Sequence, residues 1–172
     1  MDTFLETALT AARRAAEVAL GYYRGDFGVE LKPDQTPVTV ADRESEAVIR
    51  STLLDAFPDH GFYGEESGKA RQDADYLWLV DPIDGTKSFV GGYGMWSTQI
   101  ALMHRGELVL GVSSAPAMEE TAWAVRGVGA FLDGNAIQVS DRTSLAQASV
   151  STGNVGSLAR SPQWAALGSI LG

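Results

Sequence analysis

Two carboxylates, a proline, a glycine and a hydroxyl follow one another in Asp81-Pro82-Ile83-Asp84-Gly85-Thr86, directly after the apolar run Trp78-Leu79-Val80. An acid at the end of a buried run is costly unless it is paired or ligated. Hard oxygen donors of this kind suit Mg2+, which takes near-octahedral oxygen ligands and keeps several waters. A turn opening at Asp84-Gly85-Thr86 would aim backbone N–H groups at the same place, which is how an anion is held. The stretch therefore reads as a site for a metal ion and a phosphate. Two further acidic groups stand at a helix start and a strand end, Asp42 and the pair Glu65-Glu66. By itself Asp42 reads as a first-turn charge that the helix macrodipole favours. There is no Cys, and neither His60 nor His104 has a convincing partner. Chemistry here calls for no side-chain nucleophile: paired metals can activate water and spread the charge of the departing group.

The elements that must position these groups follow from hydrophobic period and from start and stop signals. Between Thr3 and Arg24, the residues Leu5, Leu9, Ala12, Ala16, Ala19 and Tyr23 fall on one helical face. Thr3 with Glu6 predicts a capping box at its start, and Gly25 a stop. Lys32 to Pro37 carries two prolines and predicts an extended loop. A second helix is expected over Ala41 to Ala56, with Ser45, Val48, Ile49, Thr52, Leu53, Ala56 and Phe57 on one face and Pro58 ending it. Gly61 to Gly64 predicts a short strand and Glu65 to about Asp75 a polar loop. Tyr76 to Val80 is the strand that delivers Asp81 to its end.

Trp96 to Met103 and Leu108 to Val112 flank a turn and read as a hairpin, with short strands expected at 121–125, 129–132 and 136–139. Trp78, Trp96 and Trp123 on these strands are core candidates, whereas His60 and His104 beside turns read as surface residues. Ser149 to Thr152 predicts one more strand. Ser161-Pro162 opens a last helix with Trp164, Leu167 and Leu171 on one side. Gly91-Gly92-Tyr93-Gly94 lacks the spacing and Lys of a phosphate-binding P-loop and reads as a flexible turn.

With 172 residues, 45% apolar and 20% charged, the chain can bury a good core. A formal charge of −9 argues against a nucleic-acid partner, which needs basic patches to neutralise phosphates. An acidic protein that handles an anionic substrate needs cations between the two, so the charge balance fits a metal requirement. No apolar run of membrane-spanning length and no signal-like N-terminus is present, so a cytoplasmic location is expected and a membrane partner is not.

Val38-Thr39-Val40-Ala41-Asp42, Gly64-Glu65-Glu66-Ser67 and Trp78-Leu79-Val80-Asp81-Pro82-Ile83-Asp84-Gly85-Thr86-Lys87-Ser88-Phe89, in that order, resemble the inositol monophosphatase family of Mg2+-dependent, lithium-sensitive phosphatases. The resemblance runs from the first helix to about Val150. It implies an α+β fold, the layered α-β-α-β-α sandwich of that family. The first half would be complete, as long helices on a largely antiparallel sheet, and the second truncated. Residues 1–145 would form the metal- and phosphate-binding domain and 146–172 the start of a truncated second α/β domain. Lys87-Ser88-Phe89, with Val90-Gly91-Gly92 and Met95-Trp96-Ser97-Thr98, resembles the histidinol-phosphate phosphatase branch more than the inositol branch. Phosphatases of the haloacid dehalogenase type place one residue between two such acids, where Pro82 and Ile83 stand here.

The resemblance also implies roles. Glu65, Asp81 and the carbonyl of Ile83 would hold one Mg2+ and Asp81 with Asp84 a second, a complete protein carrying about two or three ions per site. Gly85 and Thr86 would offer N–H groups to the phosphate, with Lys32 nearby. Asp42 would orient the Thr86 hydroxyl, which with Glu65 would position and deprotonate a metal-bound water; Glu66 would be a supporting, more peripheral acid. A further acid of the family, in a Trp-Asp motif, would lie beyond Gly172, and this sequence has no Asp or Glu after Asp141. The expectation is a Mg2+-dependent phosphomonoester hydrolase for a small-molecule phosphate, first histidinol phosphate, with inositol 1-phosphate or phosphoadenosine phosphate as alternatives. A reading of a different class is a catalytically weak metal- and phosphate-binding or interaction module. A homodimer is implied by analogy alone.

Overall fold

A computed structural model of the chain describes residues 2–25, 28–31, 37–151, 153 and 155–171. It divides into two units, Met1–Ile137 and Gln138–Gly172. In the first unit helix α1 (Asp2–Tyr22) is followed by the short strands β1 (Val29–Leu31) and β2 (Pro37–Thr39), then by helix α2 (Val40–Ala56). Strands β3 (Gly61–Gly64), β4 (Gly68–Ala70) and β5 (Tyr76–Asp84) lead to the short helix α3 (Thr86–Val90). A meander follows, β6 (Ser97–His104), β7 (Glu107–Ala115), β8 (Glu120–Val125), β9 (Gly129–Leu132) and β10 (Asn135–Ile137). One eight-stranded sheet has the order β10-β9-β8-β7-β6-β5-β3-β4, while β1 and β2 form a separate antiparallel ribbon. Every pairing in the large sheet is antiparallel except β3 with β5. This is the α+β arrangement of long helices on a largely antiparallel sheet.

One face of the sheet carries the core. Ala8, Ala11, Ala12 and Ala15 of α1, with Ile49 and Leu53 of α2, meet Phe62, Trp78, Ile100, Leu102 and Leu110. Alanine on α1 lets the helix backbones and the sheet come close, so large side chains enter from the strands. Trp78 and Phe62 are fully buried, and truncating either to Ala would cost about 3–5 kcal/mol. A smaller cluster of Ala19, Ala41, Ile83, Phe89 and Trp96 lies beneath α3. Tyr23 joins it, its ring centroid 5.4 Å from Trp96 and its hydroxyl donating to the Gly92 carbonyl at 2.8 Å.

The other face carries small side chains across its centre. Leu79, Ala101, Gly111, Ala124, Ala130 and Ile137 are successive cross-strand partners and form one row across the sheet. They border a broad hollow of about 750 Å³ that Glu65 and Asp81 also line.

Several expectations are corrected. Helix α1 begins at Asp2, so Thr3 is already helical and its carbonyl accepts from the Thr7 hydroxyl; it does not cap. The capping box instead belongs to α2, where Thr39 keeps an extended backbone and exchanges hydrogen bonds with Asp42. Residues 68–70, expected in a loop, pair with β3 as an edge strand, because Gly-Lys-Ala carries no hydrophobic alternation to announce it. Strand β5 does not end at Val80 but continues through Asp84. His60 is no surface residue: its ring is half-buried and stacks between Phe57 and Tyr76, at 4.9 and 4.8 Å. His104 stacks on the other side of Tyr76 at 4.3 Å. The expected loop at 32–36 lies outside the described residues.

The second unit contains the helices α4 (Val155–Ala159), which the sequence reading missed, and α5 (Gln163–Leu171). Residues 149–151 are not a strand, and Thr152 and the Leu171 side chain lie outside the described residues. Trp164 is half-exposed. No described helix is long and apolar enough to cross a membrane.

Candidate active site

The site is built at a defect in the sheet. Along β5, Asp81 pairs with Gln99 and Asp84 with Ser97, so three steps on β5 match two on β6. In a regular strand residues three apart point to opposite faces. The extra residue forms a bulge and brings Asp84 back to the face that Asp81 occupies. Gln99 and Ser97 confirm the shared face, since the Gln99 amide donates to the Ser97 hydroxyl at 2.7 Å. Pro82 suits this position because a bulge tolerates a residue with no N–H. The buried Thr98 hydroxyl donates to the Pro82 carbonyl at 2.9 Å, and the Ile83 N–H donates to Asp81 Oδ1 at 3.2 Å. These bonds fix the bulge from both sides.

After the bulge the chain turns sharply. Gly85 has φ 93° and ψ 34°, a left-handed conformation that favours glycine. A Cβ there would also sit 2.7 Å from the Met95 carbonyl oxygen. Gly85 caps α3 without any side chain, and Thr86 is the first helical residue.

Asp42 approaches Thr86 from α2. It is 3% exposed, and its Oδ2 accepts from the Thr39 N–H at 2.7 Å and the Thr39 hydroxyl at 2.6 Å. Its Oδ1 lies 3.4 Å from Thr86 Oγ1, which is also 3.1 Å from the Ile83 carbonyl oxygen. One hydroxyl proton thus faces two acceptors, and withdrawing either would hand it to the other.

Glu65 arrives from the parallel neighbour. Its N–H donates to the Val80 carbonyl at 3.1 Å, tying it to the residue before Asp81. The Asp81 carboxyl is pushed up to about 8 by burial first, then by a hydrogen bond and charge from Glu65 and by the charge of Asp84, with the Ile83 N–H opposing. Two carboxyls in contact demand either a proton or a cation between them.

Glu66 is not with them: it lines a separate hollow with Arg43, Arg50 and Leu54 of α2. Lys32 lies outside the described residues. The structure therefore gathers Glu65, Asp81, Ile83, Asp84, Gly85, Thr86 and Asp42 around one bulge and turn. Sequence reasoning missed Thr98 and Glu46, both buried polar residues at this site. The signal for Thr98 was a polar residue at a core-facing position of a strand; Glu46 lies beside the stripe expected for α2 and carried no such signal.

Among the described residues no group of three or more acidic or histidine side chains is spaced to enclose a metal ion. That is compatible with Mg2+, which is commonly held through one or two carboxylates plus waters and substrate phosphates rather than by a protein cage. The donors present, carboxylates and a carbonyl oxygen, are hard, and their mutual repulsion at Asp81 is what a cation relieves.

The family model of the inositol monophosphatase family matches residues 1–166. The chain is 42% identical to the histidinol-phosphatase of Chlorobaculum parvum over 153 residues, covering 88% of this chain and 58% of that protein. It is also 42% identical to the histidinol-phosphatase of Mycobacterium tuberculosis over 162 residues, covering 91% and 62%. An IMPase of Thermotoga maritima superposes with a TM-score of 0.79 at 36% identity, over 84% of this chain and 56% of that one. The chain belongs to the inositol monophosphatase family and has its fold. It spans about three fifths of the length of the two curated relatives.

Proposed function

We propose that this chain carries the metal- and phosphate-binding part of a Mg2+-dependent phosphomonoester hydrolase acting on a small-molecule phosphate, with histidinol phosphate as first substrate. The observation that carries it is the contact of Glu65 with Asp81 at the bulge beside Gly85-Thr86. Glu65, Asp81 and the Ile83 carbonyl would hold one Mg2+, and Asp81 with Asp84 another. Bound there, Mg2+ neutralises phosphoryl charge and acidifies water at neutral pH.

The chain's own residues do the rest. Gly85 and Thr86 open α3 with N–H groups free of a side-chain cap at Gly85, placed to donate to phosphate oxygens; Lys32 is assigned to the same anion. With the Ile83 carbonyl occupied, the Thr86 hydroxyl would donate its hydrogen bond to Asp42 Oδ1 alone. Its lone pairs would then accept a hydrogen bond from the attacking water and position it, and the Glu65 carboxylate would take the water's proton. Asp42 keeps its orientation because Thr39 holds its other oxygen. Glu66, on the far side of the turn, is assigned only an indirect part.

Histidinol phosphate is preferred because both relatives named above are histidinol-phosphatases. Inositol 1-phosphate is the second candidate, on the likeness to the Thermotoga maritima IMPase. A cytoplasmic location and a homodimer complete the proposal. The test is Mg2+-dependent phosphate release from the two esters, compared with Asp81→Asn. The reading expects release that EDTA abolishes and that Asp81→Asn lacks. Near-normal activity in that variant sinks it, and a preference for inositol 1-phosphate sinks the substrate assignment alone.

A further inference from the structure

Glu46 is an acid that the proposed chemistry does not use, yet it is 1% exposed. A carboxylate this deeply buried needs hydrogen bonds to be tolerated. It has them: Oε2 accepts from the Glu66 N–H and Oε1 from the Ser67 N–H, each at 2.7 Å. Charge-assisted bonds of this length are among the stronger ones in proteins. Both donors belong to the two residues that directly follow Glu65.

The residue before Glu65 is shaped for the same contact. A Cβ on Gly64 would fall 2.5 Å from the Glu46 carboxyl carbon and from both of its oxygens. Gly64 is therefore a glycine for space, so that the carboxylate can lie against the backbone. Gly64 also pairs with Val80 in register, and the Glu65 N–H bonds the Val80 carbonyl. The backbone on the near side of Glu65 is thus fixed by β5 and on the far side by Glu46.

We propose that Glu46 is a positioning residue: by clamping the Glu66 and Ser67 amides it sets the turn that aims Glu65 at Asp81, and so sets the cation affinity of that pair. Glu46 itself touches neither the cation nor the substrate. It stands one turn beyond Asp42 on α2, so one helix face orients Thr86 through Asp42 and Glu65 through Glu46. The inference rests on the reading of Glu65 and Asp81 as a cation-holding pair.

The test uses the full chain, unaltered and as Glu46→Gln and Glu46→Asp. Gln keeps the shape but replaces one acceptor oxygen by a donor, and Asp keeps the charge but withdraws it by one methylene. Amide hydrogen exchange is read by NMR without metal at Glu66 and Ser67, with Ile100 and Leu102 in the sheet core as references. Mn2+ uptake is read by loss of the free-ion EPR signal, well below the melting temperature. In the unaltered chain the Glu66 and Ser67 amides should be protected. Both variants should speed their exchange at least about tenfold and leave Ile100 and Leu102 unchanged. Mn2+ affinity should fall about 10–100-fold, the usual effect of removing a group that orients a metal ligand.

Unprotected Glu66 and Ser67 amides in the unaltered chain overturn the inference without any variant. So does faster exchange that extends equally to Ile100 and Leu102, which would make Glu46 a general support of the fold. Full Mn2+ affinity in both variants overturns it as well. An unaltered chain that takes up no Mn2+ refutes instead the reading of the acid pair, and this inference with it.

Discussion

Replacing Asp81 with Asn should stabilise the metal-free protein, although it removes the central acid of the site. Burial and the neighbouring Glu65 and Asp84 push the Asp81 carboxyl up to about 8, from an ordinary aspartate value near 4. Between about pH 4 and pH 8 the native chain therefore keeps a proton that the unfolded chain has lost. Stability falls as pH rises through that window and levels off above it. About four pH units at about 1.4 kcal/mol each set a ceiling of about 6 kcal/mol. Asp81 is only half-buried, so solvent screens the like charges, and we reduce the figure to about 2 kcal/mol. For a chain of this size that is a rise in Tm of about 4–8 °C.

The assay is a thermal melt in EDTA at pH 8.5 and pH 5, repeated with excess Mg2+. In EDTA at pH 8.5 Asp81→Asn should melt above the unaltered chain, and the gap should shrink at pH 5, where Asp81 is protonated in the fold. Saturating Mg2+ at a hundredfold over Kd adds about 2.7 kcal/mol to a protein that binds it only when folded. It should raise the unaltered chain and leave the variant in place, reversing the order. A variant that melts lower in EDTA at pH 8.5, or that gains as much from Mg2+ as the unaltered chain, refutes the account of the acid pair.

Thr98→Val keeps the buried shape but leaves the Pro82 carbonyl without its donor. It should cost about 1–3 kcal/mol in denaturant melts and weaken Mg2+ uptake, whereas Thr98→Ser should retain most of both. Gly85→Ala meets both a left-handed backbone and the Met95 carbonyl, and should lose phosphate release while the sheet core stays folded by circular dichroism; normal kcat would contradict the proposed turn. Burial lowers the His60 pKa, with Asp59 opposing, so folding excludes its proton. The stability this gives is lost as pH falls below about 6.5 and through the lowered native value. Melts at pH 7.5 and pH 5 should accordingly show a smaller acid loss for His60→Phe, and an equal loss in the two proteins would contradict it.

The motif residues could be read because their types are expensive in the places they occupy: acids after a buried run, a glycine and a hydroxyl in a turn. Helix faces and the meander were readable from period and from turn residues. The bulge was not, because Pro82 suggested the end of a strand rather than a fault within one, and only cross-strand register reveals that Asp81 and Asp84 share a face. Glu46 was passed over because it lies beside, not on, the apolar stripe expected for α2. The buried arc in fact takes in Ala41, Asp42, Ser45, Glu46, Ile49 and Leu53, wider than one stripe because α2 meets both α1 and the turn at Glu65. The edge strand at 68–70 and the ring stack around His60 depend on contacts distant in sequence, which no local pattern encodes.

A division of labour runs through these residues. Those that hold geometry are closed to solvent: Thr39, Asp42, Glu46 and Thr98 are all at most 3% exposed. Those proposed to meet a ligand are open, Glu65 and Asp84 exposed and Asp81, Gly85 and Thr86 half so. A buried polar group cannot trade its partner for water, so breaking any of these anchors leaves a donor or acceptor unpaired. The arrangement of the open residues is therefore fixed before a cation or phosphate arrives. This is the condition under which charged groups stabilise a transition state without reorganising at the moment of reaction. Among the described residues the tension left in the resting site is the meeting of Glu65 and Asp81, which a shared proton relieves below about pH 8 and a cation would relieve in its place.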